Sequence, residues 1–152
     1  MDKLEYANSF NDLLVYRKAR ELSLTIFRLT KRFPEDEKYS LIDQIRRSSR
    51  SIGAQIAEAW AKRRYEKHFV SKLTDSDGEQ QETQHWICTA LDCEYISQEE
   101  ATSLLEKCAE IGRLLGGVMA KSEQFCKSFP DKVREEKAEY FIDTSIQLNP
   151  GN

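Results

Sequence analysis

The sequence predicts an all-α protein, an antiparallel up-down four-helix bundle. Three observations predict it. Apolar residues recur at alternating steps of three and four, the period of helices that each bury one face. Proline stands only at positions 34, 130 and 150, so a long central stretch contains no strong helix breaker. Nothing in the pattern calls for strands, and four amphipathic helices with short connections pack as an up-down bundle. A chain of 152 residues suits one domain with a single core.

The first helix is expected from about Asp12 to Phe33. Asn11 or Asp12 can cap it, because a short side-chain oxygen accepts from a free backbone N–H. Its seam is Val15, Ala19, Leu22, Ile26, Leu29 and Phe33, and Pro34 ends it. The second helix is expected to open in Glu35-Asp36-Glu37, acids suited to the positive end of a helix. Its seam runs Leu41, Ile45, Ser48, Ile52, Ile56 and Ala59, narrow in the middle where Ser48, Ser49, Ser51, Gly53 and Ala54 cluster. Small residues there permit a neighbouring helix to approach closely. From Ala54 to Asp77 there is neither Gly nor Pro, and pattern alone allows one helix throughout.

The third helix is expected to reach about Glu94, with apolar residues at its start (Phe69, Val70, Leu73) and end (Ile87, Ala90, Leu91). Thr74 to His85 contains no large apolar side chain. Two readings stand: a turn and cap at Asp75-Ser76-Asp77-Gly78, or a continuous helix whose polar middle faces solvent, a pore or a subunit boundary. The fourth helix opens on a capping box, Ser97 with Glu100. Its seam is Ala101, Leu104, Cys108, Ile111, Leu115, Val118, Ser122 and Phe125. Gly116 and Gly117 weaken it by ~1 kcal/mol each relative to alanine, which suggests close packing there.

These elements divide the chain into a flexible segment 1–9, a bundle over 10–126, and a charged, flexible tail 127–152. Within the tail, Tyr140, Phe141, Ile142, Ile146 and Leu148 are candidates to dock on a neighbour. No apolar run approaches the ~20 residues of a membrane span, and no basic-then-apolar segment opens the sequence. The cytoplasm is the expected compartment, with no membrane partner. The four cysteines, Cys88, Cys93, Cys108 and Cys126, form no CxxC pair, and free thiols are the expected state.

The net charge of −3 hides an asymmetry. Residues 10–72 hold 15 Lys/Arg against 8 Asp/Glu, whereas residues 73–152 hold 7 against 16. The basic half includes Arg17, Lys18, Arg20, Arg28, Lys31 and Arg32 on the first helix, then Arg46, Arg47, Arg50, Lys62, Arg63, Arg64 and Lys67. Such a face can bind nucleic acid by displacing phosphate counterions. The competing reading is that the basic half meets the acidic half, within one subunit or between neighbours. The pI of about 5.5 favours the latter, since nucleic-acid binders more often have a high pI.

Glu82-x-x-His85 places a carboxylate and an imidazole on one helix face, but di-iron bundles need two such motifs and further glutamates. Asp75, Asp77 and Glu79 stop short of a twelve-residue calcium loop. No phosphate-binding Gly-rich loop or nucleophile elbow occurs. No metal, cofactor or catalytic residue is therefore expected. Arg63 and His68 loosely match the Arg-x4-6-His pair of a family of helical ribonucleases, and a metal-independent ribonuclease is the enzyme alternative.

Several pieces in order bring a family into view. Phe10-Asn11-Asp12-Leu13-Leu14-Val15-Tyr16 precedes Ala19-Arg20-Glu21-Leu22 and then Leu29-Thr30-Lys31-Arg32-Phe33-Pro34. Leu41-Ile42-Asp43-Gln44-Ile45-Arg46-Arg47-Ser48 leads into Ser51-Ile52-Gly53-Ala54-Gln55-Ile56-Ala57-Glu58, with Gly78 and Glu82 further on. Over roughly residues 10–125 the chain resembles the four-helix-bundle proteins encoded by intervening sequences in bacterial 23S rRNA genes. Accessory proteins of diversity-generating retroelements are similar. Gln55 and Ala59 depart from the Asn and Gly usual in that family.

The resemblance implies a turn near residues 61–67 and a third helix running through Gly78. It also implies a ring-shaped homo-oligomer, pentameric by the family's habit, whose basic and acidic halves meet head to tail. The retroelement relatives bind nucleic acid and a protein partner through basic surface. The expected function is thus a non-catalytic homo-oligomeric binding or scaffolding module. Arg46, Arg47, Arg50, Arg63, Arg64 and Lys67 are the candidate RNA or DNA contacts. Gln55, Glu58, Gly78 and Glu82 are the candidate oligomer interface or buried polar site. The alternative is a purely structural or protein-partner module without nucleic acid.

Overall fold

The computed structural model describes residues 7–127, which are helical with no strand. A 3-10 turn, Phe10–Asp12, leads into α1 (Leu14–Thr30), and a second, Glu35–Glu37, precedes α2 (Leu41–Ala61). α3 (Glu66–Asp92), α4 (Gln98–Ala120) and the short α5 (Ser122–Cys126) follow. Residues 1–6 and 128–152, which hold most of the expected N-terminal segment and tail, lie outside the described residues.

The helix ends differ from the sequence expectation in three places. Asp12 does not cap α1; its carboxylate accepts from the backbone N–H groups of Asn8 (2.9 Å) and Ser9 (3.2 Å), closing the 3-10 turn instead. α1 stops at Thr30, and 3-10 bonds from Arg32 to Leu29 O and from Phe33 to Thr30 O tighten the chain ahead of Pro34. The acids at 35–37 form their own turn rather than the start of α2. Glu37 nevertheless serves α2, accepting from Ser40 Oγ (2.7 Å) and Leu41 N (3.1 Å). Those bonds, with a weaker one from Tyr95 Oη, hold its carboxyl below the usual range.

Between α2 and α3 the chain turns at residues 62–65, inside the expected 61–67 window. The α4 capping box forms as expected: Glu100 N donates to Ser97 Oγ (3.1 Å) and Ser97 N to Glu100 Oε1 (3.0 Å).

The four long helices pack in a cycle, α1 on α2, α2 on α3, α3 on α4 and α4 on α1. Contact positions rise along one helix as they fall along its neighbour. Tyr16 meets Gly53 where Phe27 meets Arg46, and Ser48 meets Thr83 where Gln55 meets Lys72. The seams fill the core: Val15, Leu22 and Ile26 from α1, Ile45, Ile52 and Ile56 from α2, Phe69, Leu73 and Ile87 from α3, and Leu104, Ile111 and Leu115 from α4.

The polar middle of α3 has an origin inside the subunit. α3 is continuous through Gly78, and Ser76, Gln80 and Thr83 are buried. Ser76 Oγ donates to Ile52 O (2.8 Å), and the Thr83 and Ser48 hydroxyls meet at 2.9 Å. The small residues of α2 thus bring its backbone within reach of short α3 hydroxyls, and both of these buried hydroxyls find a partner. Gln80 donates to Asp77 Oδ1 (2.9 Å) beside Gly112 of α4, where a Cβ would come within 3.0 Å of the Gln80 amide nitrogen. Neither a pore nor a subunit boundary is needed to explain these three residues.

Candidate nucleic-acid interface

The six candidate phosphate contacts separate into two groups. Arg46, Arg47 and Arg50 lie in the first half of α2, while Arg63, Arg64 and Lys67 surround the turn beyond its end. The eleven helical steps from Arg50 to Ala61 alone span about 16 Å.

The first group is built on aromatic rings. Phe27 in the last turn of α1 and Lys31, the residue that follows the helix, stand one turn apart, as do Arg46 and Arg50 on the facing part of α2. The Lys31 ammonium lies 4.6 Å from the Phe27 ring centre, the Arg46 guanidinium 4.9 Å and the Arg50 guanidinium 5.7 Å. A ring's negative face attracts cations, so one phenyl group gathers three. Arg46 is aimed further by its Nε, which donates to Thr30 Oγ1 at 2.8 Å. Towards the start of α1, Arg20 sits 6.0 Å from the Tyr16 ring, and Arg17 Nε donates to Asn11 O (3.1 Å).

Arg17, Arg20, Lys31, Arg46 and Arg50 make no ion pair among the described residues. Two grooves meet at Arg50. One, of about 550 Å³, passes Arg17, Arg20, Leu24 and Phe27, with Glu21 as its acid. The other, of about 580 Å³, follows α2 past Tyr39, Ile42 and Arg46, with Asp43 as its acid.

Arg47 lines the second groove too. It pairs with Glu82, and with Glu79 at 3.5 Å, on α3. These two carboxylates offset much of its charge, so Arg47 offers less to a phosphate than Arg46 or Arg50 does. Glu82 is accounted for by the same contact. Glu58 is exposed and pairs with Lys72 at 2.9 Å, while half-buried Gln55 accepts from Lys72 at 3.5 Å. The Glu58 hydrogen bond raises the Lys72 pKa above its ordinary value. Gln55 and Glu58 therefore edge the α2–α3 seam of one subunit. Gly78 is exposed, and a Cβ added there would meet nothing within 4 Å.

At the turn, the Arg63 guanidinium stacks 3.5 Å from the Trp60 ring centre, and its Nε donates to Trp60 O at 3.0 Å. Burial pushes its pKa below the arginine value. Arg64 is half-buried, and Lys67 and His68 are exposed. The His68 ring lies 5.7 Å from that of Tyr65. The Arg63 guanidinium is thus held against the Trp60 ring. Among the described residues no group of three or more His, Cys, Asp or Glu could hold a metal ion, and no helix is long and apolar enough to cross a membrane.

Reading the sequence placed Arg17, Arg20 and Lys31 in the basic half but not in the site. The one-turn spacings Tyr16–Arg20, Phe27–Lys31 and Arg46–Arg50 are visible in sequence. Their convergence on one ring requires the pairing of α1 with α2.

Comparison with known proteins agrees with the helical architecture. A family model described as 23S rRNA-intervening sequence protein matches residues 11–117. The chain belongs to this family. A solved Bacteroides thetaiotaomicron structure, described as a protein with unknown function from the S23 ribosomal protein family, is 31% identical. The match covers 70% of this chain and 96% of that one, with a TM-score of 0.64. No match was found among curated proteins. The family segment spans α1, α2, α3 and most of α4, so it contains the whole Phe27 cluster.

Proposed function

We propose that the protein is a non-catalytic homo-oligomer of antiparallel up-down four-helix bundles, acting in the cytoplasm, whose α1–α2 face binds RNA or DNA through the phosphate backbone. One observation carries the reading. Five cations crowd one face around Phe27 and Tyr16, and none has a carboxylate partner among the described residues. Elsewhere Lys18, Arg32, Arg47 and Lys72 are paired. Like charges gathered without counterions raise a positive potential that a polyanion relieves. Guanidinium groups lying on aromatic rings supply charge but do not arrange base-edge hydrogen bonds, so binding is salt-sensitive and largely sequence-independent. The opposed order of helix contacts supports the up-down topology, and the family resemblance supports a ring.

The test is native mass spectrometry on protein purified without nuclease. The expected result is a closed oligomer carrying nucleic-acid mass that high salt removes. Bare subunits in the same oligomer, with no nucleic acid bound at low salt, would overturn the reading. That result would favour a scaffold in which the basic face meets a neighbour's acidic surface. Exposed Glu99, Glu106 and Glu123 on α4 and α5 give this alternative its physical basis.

A further inference from the structure

Tyr39, two residues before α2, is 85% exposed, more than Leu14, Leu24 or Tyr65. Its ring lies open, with the Lys38 ammonium 5.4 Å from its centre. The α2 groove runs from Lys38 and Tyr39 past Arg46 and Arg50 to Ala54. Arg46 and Arg50 stand five and nine residues beyond Leu41, where α2 begins, about 7.5 and 13.5 Å along the helix axis from it. Asp43 also lines the groove, but Lys38, Arg46, Arg47 and Arg50 outnumber it; Arg47 is paired with Glu79 and Glu82, and the other three make no ion pair among the described residues. The groove therefore presents an open aromatic face followed by a track of positive charge.

We propose that this groove binds single-stranded nucleic acid, with a base stacked on Tyr39 and the adjoining backbone following Arg46 and Arg50. The proposal rests on the backbone-binding reading above and adds the class of strand. Every base has a π-face, so stacking on an aromatic side chain tolerates any sequence. In a duplex those faces are covered by neighbouring base pairs. A double strand can meet the cations but leaves Tyr39 unused, whereas a single strand satisfies both. Lys38 beside the ring adds a cation to the phosphate nearest the stacked base.

Fluorescence anisotropy on the full-length protein tests this, using a short labelled oligouridine and a labelled RNA duplex of the same length. The wild-type protein is expected to bind the single strand more tightly. Tyr39→Ala should weaken single-strand binding about tenfold, the size of one lost stacking contact, and leave duplex binding nearly unchanged. Tyr39→Phe should keep the wild-type preference, because the ring and not the hydroxyl carries the contact. The side chain is exposed, so matching thermal melts will show that each variant folds. Unchanged single-strand binding in Tyr39→Ala, or equal losses on both RNAs, would overturn the stacking proposal while leaving the backbone reading in place. Failure of the wild-type protein to bind either RNA at low salt would overturn both.

Discussion

At the scale of single residues, burial and hydrogen bonding set the chemistry. Cys108 is fully buried on α4, and burial pushes its thiol up to about 12. Cys88 and Cys93 are exposed, and Cys126 is buried. A thiol reagent at mildly alkaline pH should therefore label Cys88 and Cys93 first, and reach Cys108 only on unfolding. Peptide mass spectrometry checks the order; rapid native labelling of Cys108 would contradict the packing. Two carboxylates connect pH to stability. Glu100 is held below its ordinary value of 4.5, first by the Ser97 backbone N–H and then by Arg32, and Glu37 is lowered by Ser40 and Leu41. Groups whose pKa falls on folding stabilise the fold above their unfolded pKa, and that contribution is lost as pH drops through the folded value. The melting temperature should hold from pH 7 to about 5 and fall below about 4.5. Glu100→Gln should lower it at pH 7 and flatten part of the acid slope. The Ser97–Glu100 box is legible in sequence because both partners lie within one turn. The pairing of Arg47 with Glu82 is not, because 35 positions separate them.

At the scale of helices, the period of three and four in the sequence marks the seams, and their large residues are the buried ones. The middle of α3 escapes that reading. Ser76, Gln80 and Thr83 look solvent-facing by composition, yet an Ile52 carbonyl, the Ser48 hydroxyl and the space beside Gly112 accommodate them inside. Those partners sit on other helices and become visible only after packing. Gly78 differs from Gly112: it costs helix propensity, and no neighbour among the described residues requires it. Gly78→Ala should raise the unfolding free energy of the subunit by about 0.5–1 kcal/mol, measured in denaturant melts. Loss of the proposed oligomer on adding this methyl would instead place the outer face of α3 in a contact between subunits.

At the scale of the whole molecule, the sequence shows a basic half and an acidic half, but not which cations remain uncompensated. Folding settles that by geometry. α3 supplies carboxylates to Arg47, and α4 supplies them to Lys18 and Arg32. The surface of α1 and α2 around Phe27 receives none among the described residues. This residual patch, rather than the net charge of −3, is what a polyanion would meet. The overall acidity limits non-specific attraction, so binding should depend steeply on those few cations.

The most direct measurement is the affinity for a labelled oligouridine across a salt series, for the wild-type protein and for an Arg20→Glu/Arg50→Glu variant. Each neutralised phosphate on a single strand contributes about −0.7 to the slope of log affinity against log salt. Engagement of three or four cations predicts a wild-type slope of about −2 to −3, and the variant should bind at least about tenfold more weakly with a flatter slope. An affinity and slope unchanged by the two reversals would contradict the assignment of this face.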